Sequence, residues 1–467
     1  MTAAGMRKVA VIDIGKTNAK VVLVDLETLT EIDARRIANR PVSEAPYPHH
    51  DVERLWTFIL DGLACFAREH KVDAISTTTH GATAALLCSD GSLALPVLDY
   101  EHDGPDRLRG DYEARSADFE ETGSPPLPQG LNLGAQLFWL ERSFPEAFSE
   151  TSSILTYPQY WGHRLTGVAA SEVTSLGCHT DLWAPARSDY SSLVDRMGWR
   201  ARFAPIRPAR SALGPILPQL AATTGLDPET PVFCGIHDSN ASLLPHLLTR
   251  PQPFSVVSTG TWVVSMAMGG ENVQLDCKRD TLVNVSALGA PVPSARFMGG
   301  REYEMLTAGL DEEWSERDVE AVLARGVAIL PSVLRGCGPF PSIEASWTVE
   351  TAMPGERIVA ASFYLAMMTA TCLELIGARG DIVIEGPLAS NTLFLRMLNA
   401  ATRRPVVAQS SQATGASIGA ALLATEPTKS LVPLGERSTA AQASWIEYAA
   451  IWNAATHERT LHPLRSA

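Results

Sequence analysis

Asp13 closes an apolar run from Val9 to Ile14, and Gly15, Lys16, Thr17, Asn18, Ala19 and Lys20 follow before the chain turns apolar again at Val21 to Val24. A turn of this composition between two β-branched runs reads as a hairpin. Its successive N–H groups and hydroxyls make a concave donor set that suits phosphate oxygens. Asp13 beside it is a hard oxygen ligand of the kind that holds hydrated Mg2+. A second such turn lies far along the chain, where Val256 and Val257 lead into Ser258, Thr259, Gly260, Thr261 and Trp262. Just ahead of it, His237 and Asp238 end the expected strand Val232 to Ile236, a place where α/β sheets carry catalytic groups. Singly, each turn is also an ordinary hairpin, and Asp238 is also a helix cap. Together they read as two halves of a nucleotide clamp with a candidate base between them in the sequence.

Regular elements must hold these groups. Asp51 to Arg68 places Val52, Leu55, Trp56, Ile59, Leu63 and Phe66 at helical spacing behind a capping Asp51. Val72 to Thr79 reads as a strand that delivers His80 and Gly81, and Asp90-Gly91 joins two apolar runs as a hairpin. The polar, Pro- and Gly-rich stretch from Asp99 to Gly130 reads as a long functional loop beside a substrate. Leu131 to Arg142 and Gln159 to Thr166 read as helices, the second stopping at Gly167. Thr249 to Pro253, with two prolines, marks a boundary between residues 1–248 and 249–467. Beyond it come an apolar helix from Arg357 to Leu375, a strand from Asp381 to Glu385, a helix from Asn391 to Thr402, a short strand at Val406-Val407, and a small-residue helix from Ala413 to Leu423.

At 467 residues the chain has room for two or three domains with cores of their own. Seven cysteines without C-x-x-C or Cys/His spacing argue for reduced, mostly buried thiols rather than a disulfide framework or structural zinc. A net charge of −14 opposes nonspecific nucleic-acid binding. The N-terminus lacks an apolar leader core and no later apolar run approaches spanning length, so a cytoplasmic protein with no membrane partner is expected.

In order, these segments resemble the FGGY family of carbohydrate kinases, and within it the rhamnulokinase and fuculokinase branch, from Val9 to about Leu423. Asp13 to Lys20 is similar to the family's first phosphate loop, and Pro158 to Gly167 resembles the helix and Leu-Thr-Gly turn of its first domain. His237-Asp-Ser-Asn-Ala241 is similar to the segment that carries the general base. Ser258 to Trp262 looks like the second phosphate loop, and Ser390 to Leu393 with Ser411 to Gly419 resembles the adenosine region. The resemblance implies an α/β protein of two actin-like ATPase (ribonuclease H-like) domains around a central interdomain cleft, residues 1–248 carrying sugar site, first phosphate loop and base, residues 249–467 carrying second phosphate loop and adenosine site. It implies ATP and Mg2+ as cofactors, a small ketose as substrate, and a homodimer as the assembly to test.

On that resemblance Asp238 is the catalytic base, Asp13 the metal ligand, and His80, Gly81, Asp103 and His237 line the sugar. Gly15, Thr17, Asn18, Lys20, Ser258, Thr259, Gly260, Thr261, Gly386, Asn391 and Gly415 would bind the nucleotide. Lys16 and Lys20 read equally as phosphate contacts and as solvated face lysines, while His80, His102 and Asp103 lack metal-ligand spacing. Two departures stand out: Glu385-Gly386-Pro387 replaces a glycine run, with Pro387 lacking an N–H, and Phe-Gly-Gly-Tyr itself is absent, Met298-Gly-Gly-Arg301 standing as the comparable loop. Two rivals follow, a partner-coupled actin-like ATPase and a catalytically weak sugar-binding regulator.

Overall fold

A strand that is apolar on both faces must lie between two covering layers. Lys8–Ile14 does so, with Val9 to Ile14 all buried. The computed structural model describes residues 7–311, 313–350, 353–409, 415–425, 436–437 and 442–461. They divide into two compact units, one drawn from Met1–Arg250, Val283–Pro291 and Gln412–Val432, the other from Pro251–Leu282, Val292–Ser411 and Pro433–Ala467.

In the first unit Lys8–Ile14 pairs antiparallel with Asn18–Asp25 and parallel with Ala74–Thr79, so that Asp13 stands opposite Thr78. Pro231–Phe233 and Ile236–His237 also run parallel to Ala74–Thr79. Three parallel strands therefore end at one edge of the sheet, at Ile14, at Thr79 and at His237. Ala10, Ile12 and Ile14 pack with Leu55, Ile59 and Leu63 of the helix Val52–Glu69 and with Trp161 of Tyr157–Thr166. Val9 and Val11 face the other way, onto Ala241 and Leu244 of Asp238–Thr249 and Ile418 of Ala416–Leu422. Those last two helices touch backbone to side: a Cβ on Gly419 would fall 1.7 Å from the Ala241 carbonyl oxygen.

Several expected features hold in detail. The Asp51 carboxylate accepts from Arg54 N–H at 3.0 Å, capping Val52–Glu69, and Gly167 ends Tyr157–Thr166 with φ +75°. Trp139, Trp161 and Trp183 are core residues. The stretch from Asp99 to Gly130 is not a structureless loop. It holds the short helices Gly104–Leu108, Arg109–Glu113 and Phe119–Thr122, pinned where Arg109 donates to the Leu127 carbonyl and Asn132 to that of Pro125.

The second unit repeats the hairpin-then-parallel pattern. Phe254–Thr259 lies antiparallel to Val263–Met268 and parallel to Asp381–Glu385, which carries Val406–Ala408 on its far side. The 22-residue helix Pro354–Leu375 is the core piece: contrary to the sequence expectation it is apolar enough in length and composition to cross a membrane, but 78% of its most apolar 18-residue stretch is buried within the fold, and its Phe363 ring sits 4.7 Å from Trp445. All seven cysteines are free thiols; Cys178, Cys234 and Cys372 are buried and the other four half-buried, fewer than the sequence suggests.

Candidate functional site

The common edge of the first sheet gathers Asp13, His80, His237 and Asp238. Asp13 is buried and accepts from the Ser417 hydroxyl at 3.2 Å, with Lys20 Nζ at 3.3 Å. Burial lifts its carboxyl above the ordinary range; Lys20 works against this and the charge of Asp238 adds to it. Lys20, only 27% exposed, also reaches Glu31 at 3.2 Å, so it faces Asp13 rather than solvent. Gly15 N–H donates to the Asn18 carbonyl and its own carbonyl accepts from Asn39, closing a turn that leaves Thr17 and Asn18 exposed, the Asn18 amide donating to the Thr17 hydroxyl at 3.1 Å.

Asp238 is the first residue of its helix, where the unpaired N–H groups favour negative charge. Its Oδ1 accepts from Ser239 N–H at 2.6 Å and lies 3.2 Å from His237 Nε2. Desolvation raises its pKa, with His80 pulling the other way. His237 is fully buried and its pKa is pushed down to about 4 by desolvation, so the ring is neutral at pH 7. Gly81 is what lets it sit there, since a Cβ at that position would meet His237 Nε2 at 2.9 Å. His80 faces the Gly81 carbonyl through Nδ1 at 2.9 Å, and its Nε2 has no partner although buried. Burial lowers its pKa too.

Two neighbours, His50 and Tyr157, escaped sequence reasoning. His50 is buried 5.2 Å from the His80 ring with both nitrogens unpartnered, and Tyr157 packs 5.2 Å from His80 with an unpartnered hydroxyl. Lys16 does not extend from the phosphate-type turn; it pairs with Asp99, lies 3.3 Å from Glu101 and sits 4.5 Å over the Tyr100 ring. No spacing rule joins positions 16, 50, 99 and 157. Ser417 had no visible reason to meet Asp13. The Asp103 side chain is 67% exposed and lies 3.5 Å from Arg107 and 3.6 Å from His102.

In the second unit a cavity of about 570 Å3 is lined by Thr259, Gly260, Thr261, Gly300, Ile358, Ser362 and Asn391 among others. Asn391 caps Thr392–Thr402 by accepting from Phe394 N–H and donates to the Ser362 hydroxyl at 3.1 Å. The Thr259 hydroxyl is spent inside the protein, donating to the Glu385 carbonyl and accepting from Leu388 N–H. Gly386, at φ +83°, lets the Thr259 carbonyl pass where a Cβ would be 2.0 Å away. Its part is to hold the turn. Pro387 lines the cavity without an N–H to offer. Gly300, from the Met298 to Arg301 segment, lies so close to Gly260 that a Cβ would be 2.1 Å from its carbonyl oxygen. Ser258 is half-buried on the strand before the turn. Gly415 precedes Ala416–Leu422 in the first unit, and Ser410 to Thr414, part of the expected adenosine segment, lie outside the described residues.

The N-terminal domain model of the FGGY family of carbohydrate kinases matches residues 113–245, and the C-terminal domain model residues 251–432. A solved carbohydrate kinase from Novosphingobium aromaticivorans is 38% identical with a TM-score of 0.89, the alignment covering 98% of this chain and 100% of that one. The chain belongs to the FGGY family of carbohydrate kinases. Both units carry the family's actin-like ATPase fold. Among curated FGGY relatives, the L-fuculokinase of Salmonella typhi is 23% identical over 270 residues, 56% of this chain and 57% of that protein. The rhamnulokinase of Oceanobacillus iheyensis is 22% identical over 258 residues, 54% of each. The chain thus spans little more than half the length of the curated relatives it matches. A xylulose kinase from Lactobacillus acidophilus, 15% identical with a TM-score of 0.79 over 98% of this chain, shares the fold.

Proposed function

We propose that this protein transfers the γ-phosphoryl group of ATP to a terminal hydroxyl of a small ketose resembling rhamnulose, fuculose or a ketopentose, in carbohydrate catabolism in the cytoplasm. The observation that carries the reading is the pair Asp13 and Asp238, the first at the end of one strand and the second just past the end of another in the same sheet, with the charge of Asp238 raising the pKa of Asp13. Residues 1–248 would hold the sugar and residues 249–467 the adenosine, with a homodimer as the proposed assembly.

The residues fit the groups this requires. A cavity of about 570 Å3 with the apolar walls Ile358 and Leu388 and the polar Asn391 and Ser362 suits a nucleoside, and the glycine-tight turn at Gly260 and Gly300 suits close backbone approach to phosphates. Asp13 would hold Mg2+, which when bound screens the charge on the transferring phosphoryl group. Asp238 would accept the proton of the attacking sugar hydroxyl as its oxygen bonds to phosphorus and ADP departs. Burial raises its pKa, which makes it a stronger base than an exposed carboxylate. Lys20 would meet phosphate oxygens beside Asp13. His80 Nε2, buried and unpartnered, would accept from a second sugar hydroxyl, and that hydrogen bond would cancel the cost of leaving it alone. Ser258, Thr261, Thr17 and Asn18 would hold phosphates, and Thr259 and Gly386 would shape the turn that does so.

ADP release with and without L-fuculose, L-rhamnulose, D-xylulose and D-ribulose tests the proposal. Stimulation of at least a hundredfold by one ketose is expected; ketose-independent hydrolysis would favour the partner-coupled ATPase, and ketose binding without hydrolysis the regulator.

A further inference from the structure

We propose that Asp33, Glu69 and His70 bind a divalent transition-metal ion of the zinc type, which staples the edge strand of the first unit's sheet to the helix packed beside it. Each of the three residues offers one ligand atom, and these atoms all lie within 4.8 Å of one another. An imidazole nitrogen with carboxylate oxygens is a donor set that Zn2+ takes. Mg2+ favours oxygen ligands and keeps its own waters, so it is the poorer match. Two carboxylates and a neutral imidazole also balance the charge of a divalent ion. Around a tetrahedral ion with bonds of about 2 Å the ligand atoms close to roughly 3.3 Å from one another. Glu69 is exposed at the end of its helix, so its side-chain torsions can supply that last approach.

The sequence brings these groups together through two periodicities. Thr30–Ala38 is the outermost strand of its sheet, and alternate residues of a strand share a face. Ile37 packs onto the core that includes Leu55 and Ile59, Arg35 donates to Cys65 Sγ at 2.9 Å, and Asp33 comes beside Glu69 and His70. Cys65 and Glu69 are one helical turn apart, so strand and helix stay in step over this length. His70 ends the helix Val52–Glu69 with its N–H on the Phe66 carbonyl, where the remaining unpaired carbonyls favour a cation. Asp33 stands opposite Leu23, and Leu23 opposite Ala10, near the start of Lys8–Ile14, whereas Asp13 lies at the end of that strand. The cluster is therefore separate from the carboxylate proposed for Mg2+, and it stands whether or not the protein is a kinase. Arg35 is the local rival for the carboxylates. Its guanidinium lies 4.0 Å from Asp33 Oδ2, and Cys65, Asp33 and Glu69 all raise its pKa, but the side chain is 47% exposed and can swing into water. Lys71 is already turned to Asp73 at 2.7 Å.

Calorimetric titration of the metal-stripped, reduced full-length protein with Zn2+ alone tests the proposal, with excess Mg2+ present to keep Asp13 out of the reading. One equivalent is expected to bind and to raise the Tm, since an ion held only by the folded state stabilises it. Asp33→Asn, Glu69→Gln and His70→Gln should each weaken binding at least tenfold and abolish the rise in Tm. Arg35→Gln removes a competing cation and no ligand, and should tighten binding by about threefold, the scale of a surface charge interaction. Absence of Zn2+ binding by the wild type overturns the proposal. So does equal binding by the wild type and the three ligand variants, which would place the ion at thiols elsewhere. Should the ligand variants melt early in chelator, Arg35→Gln decides: unchanged or weaker binding overturns the proposal, and tighter binding supports it.

Discussion

The Ser417 hydroxyl donates to Asp13 Oδ2 at 3.2 Å across 404 positions of sequence. The bond favours the charged form of a carboxyl that burial otherwise drives toward neutrality, and Lys20 at 3.3 Å does the same from the other side. Lys20 and Ser417, far apart in the sequence, thus both favour the charged form of Asp13 against the burial that on balance raises its pKa.

Removing either support should weaken cation binding. Ser417→Ala is expected to raise the Mg2+ concentration for half-maximal activity several-fold, and Asp13→Ala to raise it far more, with ketose affinity in the absence of nucleotide unchanged for both. Mg2+ titration of ADP release paired with calorimetry of the ketose checks this. A defect seen only in ketose binding would mean that Asp13 serves the other ligand.

Asp238→Asn keeps the shape of the side chain and discards its basicity. Turnover should fall roughly a hundredfold to ten-thousandfold while ATP and ketose still bind. Rates within about threefold of wild type in a folded variant would remove Asp238 from the mechanism.

Gly300→Ala forces a Cβ to within 2.1 Å of the Gly260 carbonyl oxygen, so the turn at Gly260 and Thr261 must shift. KM for ATP should rise at least tenfold, since phosphate-binding backbone depends on placement, with ketose binding preserved. Equal loss of both affinities, with a lowered Tm, would point to misfolding instead.

Glu172 and Asp181 are buried carboxyls whose pKa is raised to about 7 by desolvation. Their folded values exceed the unfolded ones, so the native state binds more protons than the unfolded state between roughly pH 4 and 7. Stability is fullest below that window and is lost as pH rises through it, by on the order of 1.4 kcal/mol per group per pH unit. The Tm should therefore fall from pH 5 to pH 7.5 and then level off, and Glu172→Gln should remove about half of the slope. A flat profile between pH 5 and pH 7 contradicts this.

Backbone features of the site were readable because they rest on local chemistry. Apolar runs interrupted by Gly and Thr announced the hairpins at Gly15 and Gly260, and the strand that ends at His237 was visible in Val232 to Ile236. Side-chain destinations were not readable. Lys16 and Lys20 flank one turn, yet one reaches Asp99 and the other Asp13, because Lys20 stands directly across the hairpin from Asp13 whereas the partner of Lys16 lies in a distant segment. Thr259 has the right type for phosphate and spends its hydroxyl on Glu385 and Leu388. His50 and Tyr157 carry no motif at all; only the folded sheet brings them to His80.

The near-contact of Gly419 with the Ala241 carbonyl means that Ala416–Leu422 cannot slide along Asp238–Thr249 without a steric collision. One of these helices begins with the proposed proton acceptor Asp238, and the other presses the Ser417 hydroxyl onto Asp13, the carboxylate proposed to hold the cation. The two therefore share a single mechanical frame. Catalytic timing in such a frame is set by what arrives at it, not by adjustment inside it, and a bulkier residue at 419 would act as a wedge that separates acceptor from cation while touching neither.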